Sequence, residues 1–401
     1  MTQTPPILVN TARMHERMQR DGLDALVATS SENVTYSSGY WALSQWIRRG
    51  PQVYVLLPAP GRGDDCIVTS TGLADLVADG EVWVDEVRRY GFFATDHEAG
   101  VPLDAASQRF KDILDGTDWK DPVAALVAAI RERGLERGRI GIDEMGTTPV
   151  YWDRIREALP DATIVPAAET FRWIRAIKTP EEVRRLREAA QITERSIAAA
   201  LAIARPGVTE LDMAREFHHR TITDGALPVL GVMGFGERSA MSNVMPTTRE
   251  LKMGDVIRFD AGGRYQHYRA DIARNAVMGE PTAKMKTYHE AIRRGLFRAQ
   301  ELIKPGVNTS YVFEQVMETV RREGIAHYRR NHVGHGIGMD GYDIPGITPG
   351  SQEVFEAGMV ICIETPYYEL GFAGLQVEDT LHITADGVES LMSTGTELVL
   401  L

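Results

Sequence analysis

The sequence is poor in cysteine. Cys66 and Cys362 both sit inside apolar runs, so neither a disulfide framework nor a cysteine-built zinc site is available, and a reducing compartment suits the chain. Basic residues are also short: 44 Lys and Arg stand against 56 Asp and Glu, a formal net charge of −12. A nucleic-acid binder needs a basic face to neutralise phosphates, so that class is set aside. No run of about 18 apolar residues occurs, which excludes a membrane-spanning helix. Residues 1–18 lack a basic start followed by an apolar core, so no export signal is read there. The expectation is a cytoplasmic protein with no nucleic-acid and no membrane partner. The 401 residues, 43% apolar and 25% charged, form a globular chain long enough for two domains.

Short apolar runs alternate with helical patterns over residues 1–170. "VYVLLP" (53–58) and "RIGID" (139–143) read as buried strands, and "DPVAALVAAIRERG" (121–134) as a helix capped by Asp121 with Pro122 in its first turn. The layout is α/β and holds no phosphate loop or catalytic cluster. Thr179-Pro180-Glu181-Glu182 then has a cap, a proline at the first helical position and a glutamate three residues after the cap. Val183, Leu186, Ala190, Ile197 and Leu201 recur at helical spacing behind it. The second domain is assigned to residues 171–401, opening with this long helix.

That domain repeats itself. "IARPGVTELDMA" (203–214) resembles "LIKPGVNTSYVF" (302–313), with Pro206 and Pro305 separated by 99 residues. "MGDVIRFDAGG" (253–263) resembles "AGMVICIETPY" (357–367), with Gly254 and Gly358 separated by 104. Each copy places an acid six residues after its glycine, Asp260 and Glu364, and each acid has a later partner, Asp271 and Glu378. Two facing helix–helix–strand–strand units would bring the four together. Carboxylates about 4 Å apart repel by about 4 kcal/mol at an effective dielectric of 20, so protons or cations must neutralise them. Two divalent ions would balance four charges. His335 is the natural nitrogen ligand, and an oxygen-rich set with one imidazole suits Mn²⁺, Fe²⁺, Co²⁺ or Zn²⁺.

His335 lies within "NHVGHGIGMDGYDIPG" (331–346), where Gly336, Gly338 and Gly341 also spell the dinucleotide pattern G-x-G-x-x-G. That pattern must open a helix whose N-terminus faces phosphate. Here Pro345 and Pro349 follow, so the glycines are read as letting backbone pass close to a metal site.

"FDAGG…YRADIAR", "GHGIG", "IETPYY" and "QVEDTL" resemble the signatures of the pita-bread-fold metallohydrolases, in the branch of creatinase, Xaa-Pro dipeptidase (prolidase) and aminopeptidase P. The resemblance covers the whole chain. It implies a small creatinase-like N-terminal α/β domain and a duplicated catalytic domain with pseudo-two-fold symmetry. It also implies two divalent ions, manganese first among the candidates, held by Asp260, Asp271, His335, Glu364 and Glu378. A hydroxide shared by the ions would attack a C–N bond, with Glu364 moving the proton. A homodimer is implied too, in which the loop 36–51 meets the partner's substrate, a dipeptide or other small molecule bearing a carboxylate. Arg48 and Arg49, with Trp46, are the candidates there.

Four positions depart from the peptidase pattern. Asn243 stands where prolidases carry a histidine, and Tyr342 replaces a second one after "GHGIG". Asn331 replaces the histidine that aminopeptidase P places four residues before the metal ligand, leaving His332 to substitute. Gln376 stands where an arginine often precedes the last ligand. His332 and Tyr342 are candidate replacements for the lost donors, and His267 and Asn243 are candidate substrate contacts. These departures keep a second reading open: a creatinase-like amidinohydrolase, a small-amide hydrolase or a lyase. Intact ligands and the acidic charge argue against a non-catalytic binding module.

Overall fold

The computed structural model describes residues 5–47 and 50–401, the side chain of Gln45 excepted, and the chain divides into two compact units, Met1–Arg175 and Ala176–Leu401. Among the described residues no helix is long and apolar enough to cross a membrane.

The first unit is built on a six-stranded mixed sheet, in the order Glu86–Tyr90, Cys66–Ser70, Tyr54–Pro58, Ala25–Ala28, Arg139–Ile142, Thr163–Pro166. The run 53–58 forms a strand because all five residues Tyr54–Pro58 bury both faces, as a central strand requires. The helix Pro122–Glu132 begins where the sequence places it: the Asp121 carboxylate accepts from the Val123 and Ala124 amides. Leu126 and Ile130 of this helix pack with Val27, Leu56 and Ile140 of the sheet.

The second unit opens with the helix Pro180–Ala202. Its capping box is complete: the Glu182 amide donates to Thr179 Oγ1 and the Thr179 amide to Glu182 Oε2. A second helix, Glu210–Thr223, follows Pro206-Gly207. The pair Ala283–Leu302 and Thr309–Arg322 repeats this arrangement after Pro305-Gly306.

The duplication is plainest in the sheet. Along one continuous path run Leu227–Phe235, Val256–Tyr265 and Ile272–Val277, then Glu378–Ile383, Val360–Glu364 and Gly334–Gly336, with every neighbouring pair antiparallel. Three strands from each half thus meet at a seam where Ala273 pairs with Glu378. Ile292, Leu296, Val312, Val316 and Val320 of the second helix pair bury their side chains with Ile361, Ile363 and Leu381 of the sheet. Each such side chain contributes about 1.5–3 kcal/mol by leaving water. The fold is mixed α/β with a duplicated C-terminal unit, as the repeat implies.

Candidate metal centre

Strand pairing alone draws four residues into a line. Asp260 pairs with Ala273, Ala273 with Glu378, and Glu378 with Glu364. Directly paired residues share a face, so three acids from three strands project to the same side of the sheet. Between them Ala273, fully buried, contributes only a methyl group. Asp271 precedes Ala273 by two residues, the spacing that returns a side chain to the same face. Asp260, Asp271 and Glu378 each bring a carboxylate oxygen within 4.8 Å of the others.

His335 arrives from the short strand Gly334–Gly336, paired with Cys362. Its Nδ1 lies 3.0 Å from the Gly336 carbonyl. A carbonyl only accepts, so Nδ1 carries the proton and the Nε2 lone pair faces the acids, 3.9 Å from Asp271 Oδ2. A Cβ on Gly336 would stand 2.1 Å from the Ile344 carbonyl oxygen, so only glycine lets the strand Asp343–Gly346 close against this one. No helix opens at these glycines, and the dinucleotide reading ends there.

The electrostatics are those of negative charge held out of water. Burial raises the carboxyls of Asp271 and Glu378 well above the ordinary range, and neighbouring carboxylates add to it, Asp260 and Glu364 for Asp271, and Asp271, Glu364 and Asp260 for Glu378. Burial also raises Asp260, against the opposing pull of Arg258, and pushes Glu364 up to about 7 against Arg330. Burial takes the His335 imidazole down to about 4, so it is neutral at pH 7 and its Nε2 lone pair is free to bind a cation. Asp271 Oδ1, His335 Nε2 and Glu378 Oε1 are all buried without a hydrogen-bond partner. Orphaned donors and acceptors of this kind are costly. Three that converge, all able to act as ligands, fit a cation-binding centre. A second ligand-capable group, His335, Cys362 and Glu378, overlaps the first at Glu378.

Of the positions that depart from the peptidase pattern, His332, Tyr342 and Gln376 stand beside the acids and Asn243 does not. His332 Nδ1 lies 3.1 Å from Glu364 Oε1. The Tyr342 ring stacks on His335 at 3.9 Å with 21° between planes, and the residue is 61% exposed. Gln376, fully enclosed, donates from Nε2 to Glu378 Oε2 at 3.3 Å. Asn243 is exposed in a turn, and no hydrogen bond ties its side chain to the acids among the described contacts. His267 occupies the turn after Val256–Tyr265 at φ +76°, where Arg264 and Arg185 are the charges acting on its ring. Trp46 ends the short helix Leu43–Trp46 of the first unit. Arg48 and Arg49 lie outside the described residues.

Two arginines and a tyrosine escaped the sequence reading. Arg258 Nη1 lies 3.4 Å from Asp260 Oδ2, and Arg330 Nη2 lies 3.5 Å from Glu364 Oε2. The Tyr368 ring sits beside both guanidinium groups, at 5.0 and 5.8 Å. The signal for Arg258 was present: it is the one charge in the apolar strand "VIRF", two residues before an acid and so on its face. Arg330 carried no such signal, because the loop 327–333 has no periodicity that assigns a face.

Residues 184–385 match the family described as Metallopeptidase family M24, and residues 11–177 match the Creatinase/Prolidase N-terminal domain. An Xaa-Pro dipeptidase of Pyrococcus furiosus is 30% identical over 233 residues, covering 58% of this chain and 67% of that protein. The uncharacterized peptidase YqhT of Bacillus subtilis is 28% identical over 386 residues, 95% of this chain and 96% of that one. Among solved structures, an Xaa-Pro dipeptidase from Bacillus anthracis superposes with a TM-score of 0.79 at 23% identity, covering 97% of this chain and 98% of its own. The prolidase from Pyrococcus horikoshii OT3 gives 0.76 at 22%, with 97% and 99% covered.

Proposed function

We propose, for a chain that belongs to the metallopeptidase family M24 and is a metal-dependent hydrolase, the cleavage of small C–N substrates of the Xaa-Pro dipeptide kind at a two-ion centre. The observation that carries this reading is the row of acids with three buried, unpartnered ligand atoms at its heart. Asp260, Asp271 and Glu378 would hold one ion. His335 and Glu364 would complete the shell of the other, with Asp271 and Glu378 common to both. Mn²⁺ suits this oxygen-rich set. Ions held there would supply Lewis acidity toward a water and a substrate carbonyl.

The protein's own groups supply the rest. Glu364 takes up the proton released by the attacking water and delivers it to the leaving nitrogen. His332, within hydrogen-bond distance of Glu364 Oε1, holds that carboxyl in one orientation. Tyr342, stacked on a ligand imidazole and open to solvent, presents a hydroxyl at the mouth of the centre, where it donates to the substrate's carbonyl oxygen. Its burial-raised pKa keeps that hydroxyl protonated through neutral pH. Losing one donor of this kind costs about 2.7–4 kcal/mol of transition-state stabilisation.

The test combines metal analysis with a panel of Xaa-Pro dipeptides, guanidino acids and N-acyl amino acids. Turnover of Xaa-Pro dipeptides that needs Mn²⁺ and disappears with a chelator supports the reading; turnover in metal-free protein contradicts it. The exposure of Asn243 and the tyrosine at 342 favour a second reading, a non-peptide amide or amidine substrate. That reading holds if only the non-peptide members of the panel are cleaved.

A further inference from the structure

Arg258 is among the largest side chains that the fold buries completely. A buried charge is costly unless every donor is met. Here each is. Nε donates to the Ser239 carbonyl at 2.8 Å, and Nη2 to the carbonyls of Met241 and Ser242 at 2.8 and 3.0 Å. These three backbone contacts fix the plane of the guanidinium. Its remaining nitrogen, Nη1, is thereby aimed at Gln376 Oε1, 2.7 Å away, and at Asp260 Oδ2, 3.4 Å away.

The contact with Gln376 settles that amide's orientation. Its oxygen accepts from Arg258 Nη1 and from the Tyr368 hydroxyl at 3.0 Å, so its NH₂ group must turn to the other side. There it meets Glu378 Oε2, which leaves Glu378 Oε1 buried and unpartnered, directed at the centre. One guanidinium therefore touches an acid of the first half directly and an acid of the second half through one amide. A charge needed only for packing has no reason to reach both.

We propose that Arg258 is a positioning residue for the metal centre: through Asp260 and the Gln376–Glu378 link it sets which oxygens of the two halves face the ions. This rests on the two-ion reading above. It would hold whichever substrate the enzyme cleaves.

The test is Mn²⁺ titration by calorimetry on full-length protein, with the melting temperature of the metal-free form as a control. Q376L removes the link together with the acceptor it offers Arg258 and Tyr368, R258L removes the charge, and R258K keeps the charge without the fork. Each should weaken Mn²⁺ binding, Q376L and R258L by ~10–100-fold, the range for residues that orient ligands, and R258K by less. The metal-free melting temperature of Q376L should fall, because Arg258 Nη1 and the Tyr368 hydroxyl lose a buried acceptor, while a single cooperative transition shows that the protein still folds. The double variant R258L/Q376R returns a guanidinium to the same space and should recover most of the affinity lost in R258L. Should R258L fail to fold, Q376L alone decides. A folded Q376L that binds Mn²⁺ as tightly as the unaltered protein overturns the proposal, as does a double variant no better than R258L. An unaltered protein that binds no Mn²⁺ overturns the two-ion reading itself, and this inference with it.

Discussion

The strands Val256–Tyr265 and Val360–Glu364 hold equivalent places in the two halves of the catalytic unit, 104 residues apart, and each sends one acid to the centre. Two residues before the acid the halves part: Arg258 in the first, Cys362 in the second. Each of these pairs with a neighbouring strand, Arg258 with Gly234 and Cys362 with His335. The imidazole of one half thus corresponds to a bare glycine in the other. There is no room for more at Gly234, where a Cβ would come within 2.7 Å of Val244 Cγ1. Duplication supplies the converging geometry, and the divergence of these two positions assigns unlike duties. The first half offers oxygens steadied by a guanidinium; the second offers nitrogen and a thiol beside its oxygens. On the proposed reading the two ions occupy different environments, the harder one on the Asp260 side.

The largest effect should come from breaking what both halves share. Glu378→Ala removes the acid that joins the two ligand groups, so loss of kcat/KM should exceed the ~10–100-fold expected of an orienting residue. Metal content measured alongside activity should fall for both ions; loss of one ion alone would show that the halves bind independently. The seam itself is the next place to press. Ala273→Leu pushes a branched side chain into the gap between Asp260 and Glu378, costing about 1–3 kcal/mol in a packed interior. Chemical denaturation should read that cost, and calorimetry should show Mn²⁺ binding greatly weakened.

The helices also differ between halves. His289 is buried in Ala283–Leu302 with Nε2 unpartnered, and the position 99 residues earlier is the buried Ala190. Burial takes the His289 imidazole down to about 4 from 6.5, so it folds as the neutral form. The unfolded chain binds the proton that the folded chain refuses. Stability is therefore lost as pH falls from about 6.5 to about 4, by a loss on the order of 3 kcal/mol. Urea unfolding across that range should show a shallower decline in His289→Gln than in the unaltered protein. An identical decline would assign the acid sensitivity to other groups. The smallest effects should be nearly symmetric. Thr209 and Asn308 cap equivalent helices, and Thr209→Ala should cost about 1 kcal/mol in thermal unfolding. Asn308→Ala should cost somewhat more, because its Nδ2 also donates to the carbonyls of Ser351 and Glu353.

Much of this was legible before any coordinates. Glycines and prolines mark the ends of the repeated helices, and Asp260 and Glu364 each follow a matching glycine by six residues, so the duplication and the acids can be read from spacing. The single row through Ala273 could not be read, because strand order and register are set by pairing across 100 residues, which local pattern does not encode. Cys362 was legible only as a buried thiol; that it lies near His335 and Glu378 follows from the same pairing. Gln376 stood out as a missing positive charge. The sequence could not show that Arg258, on a strand from the other half, brings a guanidinium to it.

The central claim is that acids from both halves meet around cations. The most direct measurement is anomalous diffraction from crystals of the protein grown with Mn²⁺. Two manganese peaks within coordination distance of Asp260, Asp271, His335, Glu364 and Glu378, with Asp271 and Glu378 touching both, is the predicted result. Manganese bound elsewhere, or carboxylates that remain paired with one another and bind none, would contradict it.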